Sequence, residues 1–143
     1  MGQGFLIDTN ILVYYYEGLI PVDAVQELDE IFRQSFDISI ISKIEFLGWP
    51  KYDEEQYQKA CLFIEGANVI SLSEEIVTTA IRIRREKSIK LPDAVIAATC
   101  LANNFTLVTR NQKDFKDINR LKIYNPFKTT PPNRSEASED VDK

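Results

Sequence analysis

The chain has 143 residues, which is enough for one domain, and its 44% hydrophobic and 27% charged residues are typical of a globular protein. The net charge of −5 neither supports nor excludes a nucleic-acid partner, because the position of the charges matters more than their sum. Histidine is absent, which removes the usual general base and the commonest zinc ligand. Any catalysis must therefore depend on carboxylates, lysine, hydroxyls or a hard metal ion.

Strand and helix signals alternate from the start of the chain. The apolar run at residues 5–7 predicts a first strand that stops at Asp8, and capping residues then open a short helix at 11–16. The next helix is predicted over 22–35, followed by a second strand over 36–42. The inward face of that helix is predicted to consist of Val25, Leu28, Ile31 and Phe32.

The second half of the chain continues this alternation. The predicted elements are a short helix capped by Ser42, a helix from Asp53 to Gly66, a strand at 69–72, a helix opened by Ser73, a helix at 94–103 with Pro92 in its first turn, a strand at 105–109, a turn or helix at 114–118 and a strand at 121–124. Strands separated by helices indicate an α/β fold whose parallel sheet is covered on both faces.

We predict one compact domain over residues 1–128 and a polar tail over residues 129–143. The tail carries two basic and four acidic residues and is too polar to bury a core, so we expect it to be disordered. No apolar run approaches the ~20 residues that a membrane-spanning helix needs, so we expect a cytoplasmic protein without a membrane partner. Cys61 and Cys100 lie in apolar helical patterns, which favours reduced core thiols.

Four carboxylates lie close to the ends of predicted strands. Asp8 ends the first strand, Glu45 is expected in the first helical turn after the second, and Asp114 follows the fourth. Asp93 is expected in the first turn of the buried helix, and Asn111 adds a neutral oxygen near Asp114. Because ligand sites in parallel sheets lie beyond the carboxyl ends of the strands, these groups are predicted to meet at one edge.

Each acid also has a structural explanation. Acidic residues favour helix N-termini, and residues 42–45 have the sequence of a capping box that would use Ser42 and Glu45. Four converging carboxylates, however, repel each other strongly unless a cation is present. Oxygen ligands without nitrogen or sulfur suit Mg²⁺, so the pattern predicts metal-assisted phosphodiester hydrolysis.

Four segments of the sequence resemble the PIN-domain family, and within it the VapC-type toxins of bacterial toxin-antitoxin pairs. They are Phe-Leu-Ile-Asp-Thr-Asn-Ile-Leu at 5–12, Ile-Ser-Lys-Ile-Glu at 41–45, Leu-Pro-Asp-Ala-Val-Ile-Ala-Ala-Thr at 91–99 and Leu-Val-Thr-Arg-Asn-Gln-Lys-Asp-Phe at 107–115. The resemblance covers about residues 4–127. It implies a three-layer α/β/α sandwich, dependence on Mg²⁺ or Mn²⁺, an RNA substrate, homodimers and inhibition by a partner antitoxin.

The resemblance also implies roles for individual residues. The first three acids of the family fall on Asp8, Glu45 and Asp93. The fourth falls on Asn111 or on Asp114, and we favour Asp114 as the acid with Asn111 as a supporting group. Thr9 and Thr109 match hydroxyl positions near the metal site, although a helix cap and a strand-end hydroxyl explain them equally well.

Basic and aromatic residues give further candidates. The run that includes Arg82 and Arg85 could guide RNA phosphates toward the metal, as could Arg110, but a solvated helix face explains the run equally well. The aromatic residues at 14–16 and Trp49 could contact an antitoxin or a second subunit, and core packing is the favoured interpretation.

Other classes of protein fit the sequence less well. A haloacid-dehalogenase-type phosphatase needs a second aspartate where Asn10 stands, and a receiver domain needs paired acids after its first strand. The main alternative is a PIN-like module that binds RNA or protein without cutting it. The intact set of four acids favours catalysis over that alternative.

Overall fold

The computed structural model describes residues 4–127, and the predicted tail at 129–143 lies outside the described residues. The described part contains five strands and seven helices in an alternating order. In chain order these are β1 (Phe5–Ile7), α1 (Thr9–Tyr16), α2 (Val22–Gln34), β2 (Asp37–Ser39), α3 (Ile40–Leu47), α4 (Glu54–Glu65), β3 (Asn68–Ile70), α5 (Glu74–Glu86), α6 (Leu91–Asn103), β4 (Thr106–Val108), α7 (Gln112–Phe115) and β5 (Lys122–Tyr124).

The strands form one parallel sheet in the order β3-β2-β1-β4-β5. Successive side chains on a strand point to opposite faces, and both Leu6 and Ile7 of the central strand are fully buried. Ile7 lies in a core cluster with residues of α1 to α4, whereas Leu6 lies in a second cluster with residues of α5 and α6. Helices therefore cover both faces, which confirms the predicted α/β/α sandwich.

The largest difference from the sequence prediction is at the end of β2. The strand stops at Ser39, and residues 40–42 are already helical. Ser39 caps α3, since its hydroxyl accepts the N–H of Ile41 at 3.0 Å. The predicted cap at Ser42 and the capping box with Glu45 are therefore wrong, and Glu45 lies in the second turn of α3 instead of the first.

Side-chain burial in the helices agrees with most of the sequence pattern. Leu28 and Ile31 of α2 are buried as predicted, but Val25 is 37% exposed and Ala24 takes the inward position. Cys61 and Cys100 are both free thiols, of which Cys100 is buried and Cys61 half-buried. None of the helices described within residues 4–127 is long and apolar enough to span a membrane.

Candidate active site

Asp8 is a buried carboxylate at the carboxyl end of the central strand. It directly follows β1, forms the N-cap of α1 and is only 5% exposed. The Thr9 backbone N–H donates to Oδ1 at 2.8 Å, and the Thr109 hydroxyl donates to Oδ2 at 2.7 Å. The Asn10 amide makes a longer contact of 3.3 Å with Oδ2. Neighbouring segments from β1, α1 and β4 therefore fix the orientation of this carboxylate.

Glu45 is joined to the same region through the Thr9 side chain. Thr9 Oγ1 lies 2.6 Å from Glu45 Oε1 and 2.8 Å from Ser42 Oγ. Since a hydroxyl has one hydrogen and a carboxylate only accepts, Thr9 donates to Glu45, and the Ser42 hydroxyl is left to donate to Thr9. Thr9 thus contacts both Asp8 and Glu45, and it brings α3 against the start of α1 across 36 positions of sequence.

Asp93 lies at the opening of the buried helix, as the sequence predicted. It is half-buried in the first turn of α6, a position where the helix dipole favours a negative charge. The helix packs against α3, β2 and β4, the elements that carry or flank the other candidate residues. Burial raises the pKa of the Cys100 thiol on α6, and the negative charge of Asp8 adds to this effect, so Asp8 lies near the inner face of the helix.

The segment after β4 holds the candidates for the fourth acid. The Asn111 N–H donates to Thr109 Oγ1 at 3.0 Å, and the Asp114 N–H donates to the Asn111 carbonyl oxygen at 3.1 Å. Asn111 is half-buried at the N-cap of α7, whereas the Asp114 side chain is exposed. The Thr109 hydroxyl therefore links the Asn111 backbone directly to the Asp8 carboxylate. Asp114 is linked to Asp8 less directly, through the backbone of Asn111.

The candidate carboxylates have the oxygen donors that a hard metal ion prefers. Within residues 4–127, no three acidic or thiol side chains are positioned to hold a metal ion between them. Convergence of all four acids therefore stays a prediction. The donor chemistry nevertheless fits Mg²⁺, which keeps several waters and is usually bound by only one or two carboxylates. Asp8 and Glu45, which both contact Thr9, are two carboxylates of the type that such a site requires.

Arg110 makes structural contacts near the site. Its guanidinium lies 5.7 Å from the Tyr14 ring centroid and 5.5 Å from that of Phe127, and Nη1 donates to the Tyr14 hydroxyl at 3.3 Å. Tyr14 is fully buried, and Tyr15, Tyr16 and Trp49 are half-buried among other rings, as the core-packing interpretation predicted.

The predicted basic run lies on the solvent side of α5. Arg82 and Arg85 are exposed, and Arg82 Nη1 is 3.9 Å from Glu86. An exposed contact of this length contributes little to stability. Both guanidinium groups therefore remain accessible to an anion.

Ser42 lies beside the candidate carboxylates, a position that its local sequence does not indicate. It was interpreted as a helix cap, but it is fully buried and its hydroxyl contacts Thr9. The sequence contains a second candidate cap, Ser39, and the structure uses Ser39 because α3 begins at Ile40. Considering Ser39 as the cap would have left the Ser42 hydroxyl available for a contact inside the site.

Comparisons with known proteins agree with this architecture. The sequence matches the PIN domain family over residues 5–121. It is 30% identical over 127 residues to Ribonuclease VapC1 of Methanocaldococcus jannaschii, with 83% of this chain and 85% of that protein covered. The chain therefore belongs to the PIN domain family, in its VapC-type branch.

Solved structures of relatives have the same fold. A toxin-antitoxin complex from Klebsiella pneumoniae contains a chain that is 33% identical with a TM-score of 0.73, covering 88% of this chain and all of that one. VapBC2 from Rickettsia felis, bound to a DNA fragment from its promoter, matches at 29% identity with a TM-score of 0.72, covering 85% and 97% of the two chains.

Proposed function

We propose that this protein is a divalent-metal-dependent endoribonuclease that hydrolyses RNA phosphodiester bonds. The observation that carries the proposal is the buried Asp8 carboxylate at the end of β1, joined through Thr9 to Glu45. Two carboxylates held close together repel each other, and their oxygens are the donors that a hard dication prefers, so this pair is suited to a bound cation. The naming of a relative as a ribonuclease supports RNA as the substrate.

Asp8, Glu45 and Asp93 are the residues that would hold Mg²⁺ or Mn²⁺, with Asp114 as the fourth acid. A bound dication would polarise a phosphoryl oxygen and lower the pKa of an attacking water. The protein's own groups prepare this chemistry. Thr9 and Thr109 orient the carboxylates through the hydrogen bonds described above, and Asn111 keeps Thr109 in place.

The basic side chains are proposed to bind RNA phosphates outside the reacting centre. Arg82 and Arg85 are exposed on α5 and are suited to long-range attraction of a polyanion. Arg110 is half-buried against two rings, so its contribution to RNA binding would come together with a structural one.

A cleavage assay with and without metal tests the proposed activity. We expect the purified full chain to cut a labelled RNA in Mg²⁺ or Mn²⁺, and we expect EDTA to abolish cleavage. Asp93→Asn should reduce cleavage more than 100-fold, since even residues that only support metal ligands contribute about 10- to 100-fold.

Asp23→Asn is the matched control for Asp93→Asn. Asp23 is also an acid in the first turn of a helix, but it lies on the exposed part of α2. Its variant should cut RNA as the parent does, and loss of cleavage in Asp93→Asn prepared by the same purification would exclude a contaminating nuclease. Full cleavage by Asp93→Asn would refute the mechanism. RNA binding by the parent without any cleavage would favour the alternative of a silent PIN-like binding module.

We further propose that the protein is the toxin of a toxin-antitoxin pair and that it forms a homodimer. The toxin-antitoxin complexes among the similar solved structures support an antitoxin partner. We expect an adjacent reading frame to encode a small protein. That protein should co-purify with this chain and inhibit RNA cleavage. Sedimentation of the isolated chain at twice the monomer mass would test the dimer separately.

A further inference from the structure

A cavity of about 430 Å³ opens at the edge of the sheet opposite to the candidate active site. Phe105, which precedes β4, and Lys122, the first residue of β5, line it, so it lies at the amino ends of these strands. Asp8 and Thr109 lie at the carboxyl ends. Phe105 and Thr109 are four residues apart, which corresponds to roughly 13 Å along a strand. The cavity is therefore a separate place from the carboxylate site.

Three cationic side chains from different elements line this cavity. Arg82 comes from α5, Arg120 from the turn before β5 and Lys122 from β5 itself. Glu75 is the acid in the lining, so the side chains carry a net charge of +2. The carboxyl end of α6 adds a partial negative charge that is smaller than one elementary charge, so the lining stays positive overall.

Among the three cations, Arg120 is the one most available to a ligand. Within residues 4–127, the Arg120 guanidinium takes part in no hydrogen bond or ion pair. Arg120 also has a backbone φ of 73°, a conformation that non-glycine residues adopt at an energetic cost and that often accompanies functional sites. Lys122 Nζ is 3.5 Å from the Asn104 side-chain oxygen, and both residues line the cavity.

We propose that this cavity binds the phosphate group of a nucleotide. A guanidinium presents a planar fork of N–H donors that matches phosphate oxygens, and a phosphomonoester carries nearly two negative charges at pH 7. The volume lies in the range of small-ligand pockets and leaves room for the attached sugar and base. Phe105 offers a ring on which a base can stack, and Asn119 offers a polar side chain.

The nucleotide comes from one of two sources, a free mononucleotide or one unit of an RNA chain. The RNA source rests on the proposed function, because it would place a second contact on the substrate. The free mononucleotide does not depend on ribonuclease activity. All binding measurements are therefore made on the full chain in EDTA, where failure of RNA cleavage cannot be mistaken for failure of this site.

The test is a nitrogen-15 NMR titration with adenosine 5′-monophosphate, adenosine and a uridine tetraribonucleotide. Adenosine monophosphate should shift the backbone amides around Asn104 and Arg120, and adenosine, which lacks the phosphate, should not. The double variant Arg120→Gln with Lys122→Gln should weaken binding at least about tenfold, since hydrogen bonds to charged groups are strong. Glutamine keeps a long polar side chain at both positions. As a non-glycine residue it also leaves the energetic cost of the positive φ at residue 120 unchanged.

The matched control removes two exposed charges elsewhere, with Arg33→Gln on α2 and Lys59→Gln on α4. Tighter binding of the tetranucleotide, with a salt dependence that falls by about 0.7 per cation removed, identifies RNA as the source. Tighter binding of adenosine monophosphate identifies the free nucleotide. Unshifted cavity amides with both phosphate probes, or an equal loss of affinity in the control, would overturn the proposal. Lys122→Gln alone serves if the double variant does not fold.

Discussion

Asp8 and Asp114 both follow neighbouring parallel strands, yet their surroundings differ sharply. Asp8 is buried and its carboxylate accepts hydrogen bonds from Thr9 and Thr109. Asp114 is exposed on α7, a helix of four residues. Position after a strand therefore selects candidate ligands, but the surrounding hydrogen bonds decide how firmly each one is oriented. Preorganised groups contribute more to catalysis than mobile ones, so we expect unequal roles.

The largest expected effect is that of Asp8→Asn. Asparagine is as good a helix cap as aspartate, so the fold and the cap of α1 should survive. Loss of the negative charge should reduce metal-dependent RNA cleavage by more than about 100-fold. Cleavage rates and a thermal unfolding curve on the same preparation check both expectations. If Asp8→Asn still cleaved RNA at the parent rate, the proposed difference in role between Asp8 and Asp114 would be wrong.

Thr109→Val should have the next largest effect. It removes the donor to Asp8 and the acceptor of the Asn111 N–H, and Thr109 is fully buried. We expect a 10- to 100-fold loss in kcat/KM and a loss of roughly 1–3 kcal/mol in the free energy of unfolding.

Thr99→Val provides the comparison for Thr109→Val. Thr99 is equally buried, but its hydroxyl donates to the Val95 carbonyl oxygen within α6. This variant should lose stability and keep its specific activity. Similar kinetic losses in the two valine variants would show that Thr109 acts through the stability of the fold alone.

Asp114→Asn should reduce cleavage less than tenfold, because an exposed carboxylate acts on the site through solvent and is readily replaced by water. Asp117→Asn is the matched control, since Asp117 is an exposed acid three residues later and asparagine tolerates its φ of 69°. A loss as large as that of Asp8→Asn would make Asp114 an equal ligand. A larger loss in Asn111→Ala than in Asp114→Asn would assign the fourth position to Asn111.

The smallest expected effect is that of removing residues 129–143, which we predict to lie outside the domain. Their polar, acidic composition lacks the apolar surface that packing requires, so cleavage and stability should stay unchanged. A severalfold gain in activity that shrinks with added salt would instead indicate that the acidic tail covers the basic residues. Unfolding of the shortened chain would place the domain boundary later than residue 128.

Much of the fold could be predicted because local signals agreed with the tertiary structure. Asp53 caps α4 and Ser73 caps α5, both as expected from the sequence, and Gln56 adds a capping box at Asp53 that was not predicted. The predicted start of α3 was wrong because two signals disagree there. Ile40 and Ile41 are β-branched residues that favour a strand, whereas the buried Ser39 cap favours a helix. Tertiary packing decided between these two signals.

The site was only partly predictable for a related reason. Strand-end position identified Asp8, and Pro92 identified the helix opening that carries Asp93. The link from Thr9 to Glu45 joins residues 36 positions apart, and no local pattern contains it. The choice between Asn111 and Asp114 depends on exposure and backbone contacts, which the sequence does not encode directly.

The position of β1 in the middle of the sheet also has a consequence for the order of synthesis. The Asp8 N–H donates to the Val108 carbonyl oxygen, and its carboxylate accepts from Thr109, so two of its partners come from late in the chain. Contacts over such separations form slowly and only after both segments are available. A growing chain on the ribosome therefore lacks one wall of the candidate site until β4 has emerged. Any ribonuclease activity would thus begin only after β4 has been synthesised, when the segments that precede it are already available to a partner.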